Sequence, residues 1–376
     1  MRKIAFALLL LAASSAAAQV VGSIEQSYGP YARDPTNAYL GLAASRDRIL
    51  LAWSEAEAGR SRIRIGLLDF DGRLVAPIET ISTLESDYAF APIVASDGSG
   101  FAVLYSELER PARLVRATVD ATGHLIGSPQ RFLSTVNVAD NVPLFWDGTS
   151  YVAYVEGFPM AFAADGTRAA TAFGPIDPFA TLILENGTLA VAWWRRQVIW
   201  GRCHPMWFCE VIGYTVDLDW VVGNRGDTYR PRVPPLPSES VPPRPFVGTS
   251  GTKTLIAWVN EGIHYYVVDN APRELATALN ADPNQRLAVA CDAKLCLLAY
   301  ATTSGDVYAL ALDVSRPDDP RVLPVATSGR KEWHPQILKL KAGRFLIAYL
   351  SDLPGDLRFA GRIVTVPPSR TRSAGK

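Results

Sequence analysis

The amino-acid sequence predicts an all-β fold of seven repeated units, each of four strands, and three observations carry that prediction. A short phrase recurs seven times: a polar, turn-like pair, then an apolar run that ends in an aromatic. A second half-repeat of strand, turn and strand follows most of the copies. Long capped stretches with helical periodicity are absent throughout, so nothing in the chain competes with the strand reading.

In chain order the phrases are SRDRILLAW (45–53), SDGSGFAVLY (96–105), WDGTSYVAYVE (146–156), ENGTLAVAW (185–193), TSGTKTLIAW (249–258), CDAKLCLLAY (291–300) and KAGRFLIAY (341–349). Several open on Asp-Gly, Asn-Gly or Ser-Gly, pairs that tolerate the positive φ of tight hairpins. Their aromatics are Trp53, Tyr105, Tyr154, Trp193, Trp258, Tyr300 and Tyr349, spaced 39 to 65 residues apart with a mean near 49. The half-repeats RIRIGLLDFDGRLV, RLVRATVDATGHLIG, MAFAADGTRAA and VYALALDVSRPDDPRVL complete units of four strands, a to d. The last unit stops after three strands, at Pro367-Pro368. The segment VVGSIEQSYG near the N-terminus resembles the fourth strand of the first unit. An orphan strand at one end and a missing one at the other predict a ring closed by the N-terminal strand, with no unpaired edge.

A period of about 40 to 50 residues with four strands per unit resembles the β-propeller superfold, in particular exported bacterial propellers. The resemblance covers residues 20 to 366 and implies a seven-bladed β-propeller. It carries no Gly-His or Trp-Asp signature of WD40 repeats, and SDGSGF and WDGTSY are only partial echoes of a sialidase Asp-box. The fold therefore implies no particular activity.

Ahead of the repeats, Arg2 and Lys3, the apolar run from Ile4 to Leu11 and Ala16-Ala17-Ala18 have the form of a signal peptide over residues 1–18. A single propeller domain over 19–366 and a basic tail over 367–376 follow. An exported monomer, periplasmic or extracellular, is expected. The full chain has 37 basic and 37 acidic residues; without Arg2 and Lys3 the balance is about −2, which offers no footprint for nucleic acid. With 48% hydrophobic residues the chain can fill a large core, yet no later stretch is apolar enough to span a membrane.

Four cysteines in an exported chain imply disulfides. Cys291 and Cys296 flank an a–b turn, and Cys203 and Cys209 are expected at the c–d turn of the fourth unit, which would put both bridges on one face. A metal site of Cys203, His204 and Cys209 is the alternative, and it lacks an evident fourth ligand. No metal or cofactor is expected. Asn186-Gly187-Thr188 matches a glycosylation sequon, but an Asn-Gly turn explains it.

The b–c loops and d–a crossovers should share the other face, together with the Pro-rich crossover 229–246. Residues just before each first strand should ring the mouth of the channel: Asn37, Asp87, Asp140, Asn141, Asp177, Arg244, Arg286, Trp333 and His334. Such a mouth suits a polar ligand. A second candidate surface is WWRRQVIWGRCHPMWFC (193–209), where Arg195, Arg196, His204 and Trp207 are expected exposed and Trp193 and Trp200 in the core. Two functions follow. One is a non-catalytic binding or scaffold propeller for a glycan, a peptide or an envelope protein. The alternative is a carbohydrate-active hydrolase or lyase using Asp87, Asp140 or Asp177.

Overall fold

The computed structural model describes residues 20–21, 26–31, 40–57, 60–82, 88–108, 112–134, 142–176, 180–185, 187–203, 209–223, 225–229, 244–250, 253–260, 262–268, 280–282, 285–292, 295–317, 319–341, 343–353 and 356–366. These residues form seven antiparallel sheets, and the protein is a seven-bladed β-propeller. The chain enters through β1 (Val20–Val21) and β2 (Gln26–Tyr31), which join the last sheet. Blade 1 holds β3 (Leu40–Ala44), β4 (Ile49–Glu57), β5 (Arg60–Leu68) and β6 (Glu79–Thr80). Blade 2 holds β7 (Ala89–Ser96), β8 (Phe101–Glu107), β9 (Arg113–Val119) and β10 (Gln130–Ser134). Blade 3 holds β11 (Leu144–Trp146), β12 (Tyr151–Val155), β13 (Phe158–Phe162) and β14 (Arg168–Ala169). Blade 4 holds β15 (Thr181–Glu185), β16 (Thr188–Cys203), β17 (Cys209–Val222) and β18 (Arg225–Tyr229).

Blade 5 has three strands among the described residues: β19 (Phe246–Thr249), β20 (Thr254–Val259) and β21 (Ile263–Val267). Residues 269–279, which follow β21 in the chain, lie outside the described set. Blade 6 holds β22 (Ala288–Asp292), β23 (Leu295–Ala301), β24 (Val307–Asp313) and β25 (Arg321–Ala326). Blade 7 holds β26 (Glu332–Lys339), β27 (Arg344–Leu353) and β28 (Asp356–Thr365). Against β28, Val20 stands opposite Thr365 and Val21 opposite Val364, while Gln26 faces Gly361 and Tyr31 faces Leu357.

The seven recurring phrases are the seven second strands. Each is covered on both faces by neighbouring blades, so it reads as a continuous apolar run rather than an alternation. Every residue of β8, β12 and β20 is buried. Outer strands such as β25 keep an exposed face. Packing between blades supplies the core, in seven clusters that each bridge two adjacent blades. One of them joins Leu51, Trp53 and Leu68 of blade 1 to Leu346, Leu350 and Phe359 of blade 7, which completes the circle. Nearer the axis the first strands crowd together. A Cβ on Gly41 would come within 2.8 Å of the Pro92 carbonyl oxygen, so only glycine lets β3 and β7 approach this closely.

The turns repeat as the blades do. Asp97 accepts the N–H groups of Ser99 and Gly100, each at 2.7 Å, and Asp147 accepts those of Thr149 and Ser150 at 2.8 and 2.7 Å. In c–d turns Asp120 accepts the N–H groups of Thr122 and His124, and Asp165 accepts the N–H and hydroxyl of Thr167. Partial burial pushes the Asp97, Asp120 and Asp147 carboxyls up, but the N–H and O–H donors aimed at them outweigh it and leave all three below the ordinary value. Asp165 is lowered by its bonds to Thr167. A depressed pKa gives stabilisation that is complete above the unfolded value and lost as pH falls through the folded one. The melting temperature should therefore hold from neutral pH to about 5 and fall below about pH 4. Asn at all four positions keeps an acceptor without the charge. That variant should show a shallower acid limb in a melting series against pH, and an unchanged limb would count against the turns as its source.

Candidate site at the channel mouth

The first strands β3, β7, β11, β15, β19, β22 and β26 stand innermost, and their upstream ends converge on one cavity of about 390 Å³. Arg244, Arg286, His334, Thr181 and Gln336 supply its polar lining. Leu42, Ile93, Leu182, Val247, Val289 and Ile337 supply the wall beneath. Pro92 lies within the bulge of β7 and Pro143 directly before β11; the inner edge of a first strand faces the channel rather than a partner, so a proline there removes no ladder bond.

Two blades use the same device to aim their residues. The pairing of β7 with β8 shifts register between Phe90 and Ile93, and that of β26 with β27 shifts between Trp333 and Gln336. Within these bulges Ala91 has φ 52° and His334 φ 48°, each directly before a proline. Left-handed backbone at a non-glycine costs about 1–3 kcal/mol and is disfavoured further before proline. The bulge separates neighbours that the sequence placed together: His334 lines the cavity, whereas Trp333 packs with the cluster between blades 7 and 1. The His334 N–H donates to Gln285 Oε1 at 3.3 Å. Arg244 Nε donates to Thr181 Oγ1 at 3.2 Å, and that hydroxyl donates to the Pro245 carbonyl at 2.6 Å, which ties blade 5 to blade 4.

Of the residues expected at the mouth, Arg244, Arg286 and His334 are brought together there. Asn37, Asp87, Asp140, Asn141 and Asp177 lie outside the described residues. Thr181, Gln285 and Gln336 were not anticipated; they sit in or beside first strands and carry no motif. Among the described residues no group of three or more His, Cys, Asp or Glu could hold a metal ion, and no helix is long and apolar enough to cross a membrane.

The second candidate surface changes place. Cys203 and Cys209 were expected at the c–d turn, but β16 runs for 16 residues through Cys203 and pairs with β17 as far as Cys209. They therefore stand opposite each other near the tip of the b–c hairpin, and the c–d turn of this blade is at Gly223. Because antiparallel strands alternate ends, the hairpin projects from the mouth face, not from the face of the Cys291–Cys296 turn. The β15 pairing reaches only to Ala192 and the β18 pairing only to Leu218, so the hairpin continues beyond the blade as a two-stranded arm.

At the base of the arm, half-exposed Arg195 lies 3.4 Å from buried Asp217 and 3.4 Å from Asp219. Gln197 also bonds Asp217, and Thr228 Oγ1 donates to Asp219 at 2.6 Å. Arg195 thus holds the arm to its blade, while Arg196 is exposed. Trp193 is half-buried rather than in the core; its neighbour Trp194 packs edge-on against Trp258, with ring centroids 5.5 Å apart. The side chain of Trp200, and His204 and Trp207, lie outside the described residues. Cys291 and Cys296 form a disulfide across the a–b hairpin of blade 6.

The fold and its axial cavity define a seven-bladed propeller with a polar mouth. No family model and no curated protein matches the chain. Among solved structures it is similar to a protein of unknown function from Dyadobacter fermentans, at 12% identity and TM-score 0.47, over 91% of this chain and 99% of that one. A Trypanosoma rangeli sialidase mutant displaying trans-sialidase activity is similar at 9% identity and TM-score 0.43, over 90% of this chain and 57% of that one. A prolyl endopeptidase structure is similar at 10% identity and TM-score 0.45, over 89% of this chain and 51% of that one. The chain thus spans little more than half the length of the sialidase and peptidase chains.

Proposed function

We propose that the protein is an exported, non-catalytic binding propeller that holds a glycan, a peptide or an envelope partner at the channel mouth. One observation carries the reading: all seven first strands converge on a single cavity of about 390 Å³, and blades 4 to 7 supply its polar side chains, Thr181, Arg244, Arg286, His334 and Gln336. That size falls within the range of small-ligand sites, and an apolar wall with a few converging polar groups is their usual make-up. Export is supported by the leader-like residues 1–18 and by the Cys291–Cys296 bridge, which persists in an oxidising compartment.

Glycan and peptide arrays would identify the partner. Arg244→Ala and Arg286→Ala should then each weaken its binding about tenfold or more, the loss expected for a charged hydrogen bond. Affinities within about twofold for both variants would place the site elsewhere on the protein. Turnover that disappears in Asp140→Asn or Asp177→Asn would favour the hydrolase or lyase alternative.

A further inference from the structure

Three first strands end on charged residues at the opposite end of the channel: β15 on Glu185, β22 on Asp292 and β26 on Lys339. Lys339 Nζ bonds Glu185 Oε1 and lies 4.0 Å from Asp292 Oδ1. The Asp292 carboxylate is itself held by the Gly343 N–H at 2.8 Å. Glu185 belongs to blade 4 and Lys339 to blade 7. In a ring of seven, blades three apart are as distant as any two can be, so this ion pair crosses the axis. Lys341, two residues on, turns outward instead, onto the Arg46 carbonyl and the Phe70 ring.

Between this crossing and the mouth lies a second chamber of about 510 Å³, which shares Leu42, Ile93, Pro143, Leu182 and Ile183 with the first. Its remaining lining is largely apolar, with Leu184, Leu338 and Trp146 nearest the charged end. The channel is thus an apolar shaft with a polar rim and an ion pair across its far end. We infer that Lys339, Glu185 and Asp292 form a floor, so that the site is a blind cup which takes the apolar end of a ligand rather than a chain threaded through the ring. The floor stands on its own geometry; the statement about the ligand rests on the mouth being the binding site. A ligand of this class carries a terminal apolar group for the shaft and polar groups behind it for the rim.

A thiol reporter tests the floor without any ligand. Leu184→Cys lies beside Glu185, and Asp47→Cys is an exposed control on the same face. With Lys339 present, a bulky maleimide should label Leu184→Cys about a hundredfold more slowly than the control, and adding Lys339→Ala should speed it about tenfold, since access governs the reaction. Glu185→Ala opens the same gap from the opposite wall, so a folding failure in one variant leaves the other to decide. Labelling as fast as the control in the parent, or unchanged by removing either partner, overturns the floor. A second arm uses a partner found on the arrays. Blocking both its ends with bulky groups should cost about tenfold or more in affinity, and full retention would overturn the blind cup while leaving the mouth as a site.

Discussion

Replacing Trp53 with alanine is expected to destabilise the protein by about 3–5 kcal/mol, the cost of removing a fully buried large aromatic. Trp53 is 0% exposed and sits in the cluster that joins blade 1 to blade 7, its ring centroid 6.4 Å from that of Phe359. Its indole N–H has no acceptor among the described residues, so the loss comes from packing and not from a broken hydrogen bond. Gly66 lies against the same ring, which leaves little freedom for the neighbours to close the void. Calorimetry should show the midpoint lowered by roughly 5–10 °C. Val322→Ala, at a side chain 42% exposed on an outer strand, should move it by less than about 1 °C. A Trp53 variant that melts like the Val322 control would show that this blade interface does not bear on stability.

The same burial explains what could be read from the sequence. Second strands are covered on both faces, so their seven apolar runs stand out, six ending in buried Trp53, Tyr105, Tyr154, Trp258, Tyr300 and Tyr349 and one in half-buried Trp193, and blade number follows from counting them. The Cys291–Cys296 bridge was legible for a related reason, since a tight a–b turn fixes the distance between its flanks. Two features were hidden because pattern alone cannot report register. The long 65-residue interval before Trp258 contains the Pro-rich crossover, yet part of its length belongs to the extended β16–β17 hairpin. That extension moved Cys203 and Cys209 from the expected face to the other. Likewise a single bulge reversed the parity of Trp333 and His334, sending one to the blade interface and the other to the cavity. The Ala91-Pro92 and His334-Pro335 pairs at matching places in two blades were the available signal. The pairing of Glu185 with Lys339 had none, because 154 residues and the width of the ring separate them.

Removing residues 19–31 should be the second large effect, because it strips β1 and β2 from β28. Blade 7 contributes only β26, β27 and β28 from its own stretch of chain, and β28 would become a bare outer edge. Its N–H and C=O groups opposite Val20, Val21, Gln26 and Tyr31 would lose their strand partners. Exposed edges of this kind pair with other chains, so aggregation should accompany the loss of stability. The midpoint should fall by roughly 5–10 °C. Blade 7 is also held to blade 1 by Arg344, which bonds Asp71 at 2.7 Å and the Phe70 carbonyl at 3.1 Å, so the ring should open at its outer edge before it unfolds. Removing 367–376 instead serves as the control and should leave the melt unchanged. A synthetic peptide of residues 19–31 added to the truncated protein should restore part of the lost stability by strand addition. An unaltered melt after the N-terminal deletion would show that the first and last strands do not latch the ring, and that packing of blade 7 on blade 1 closes it unaided.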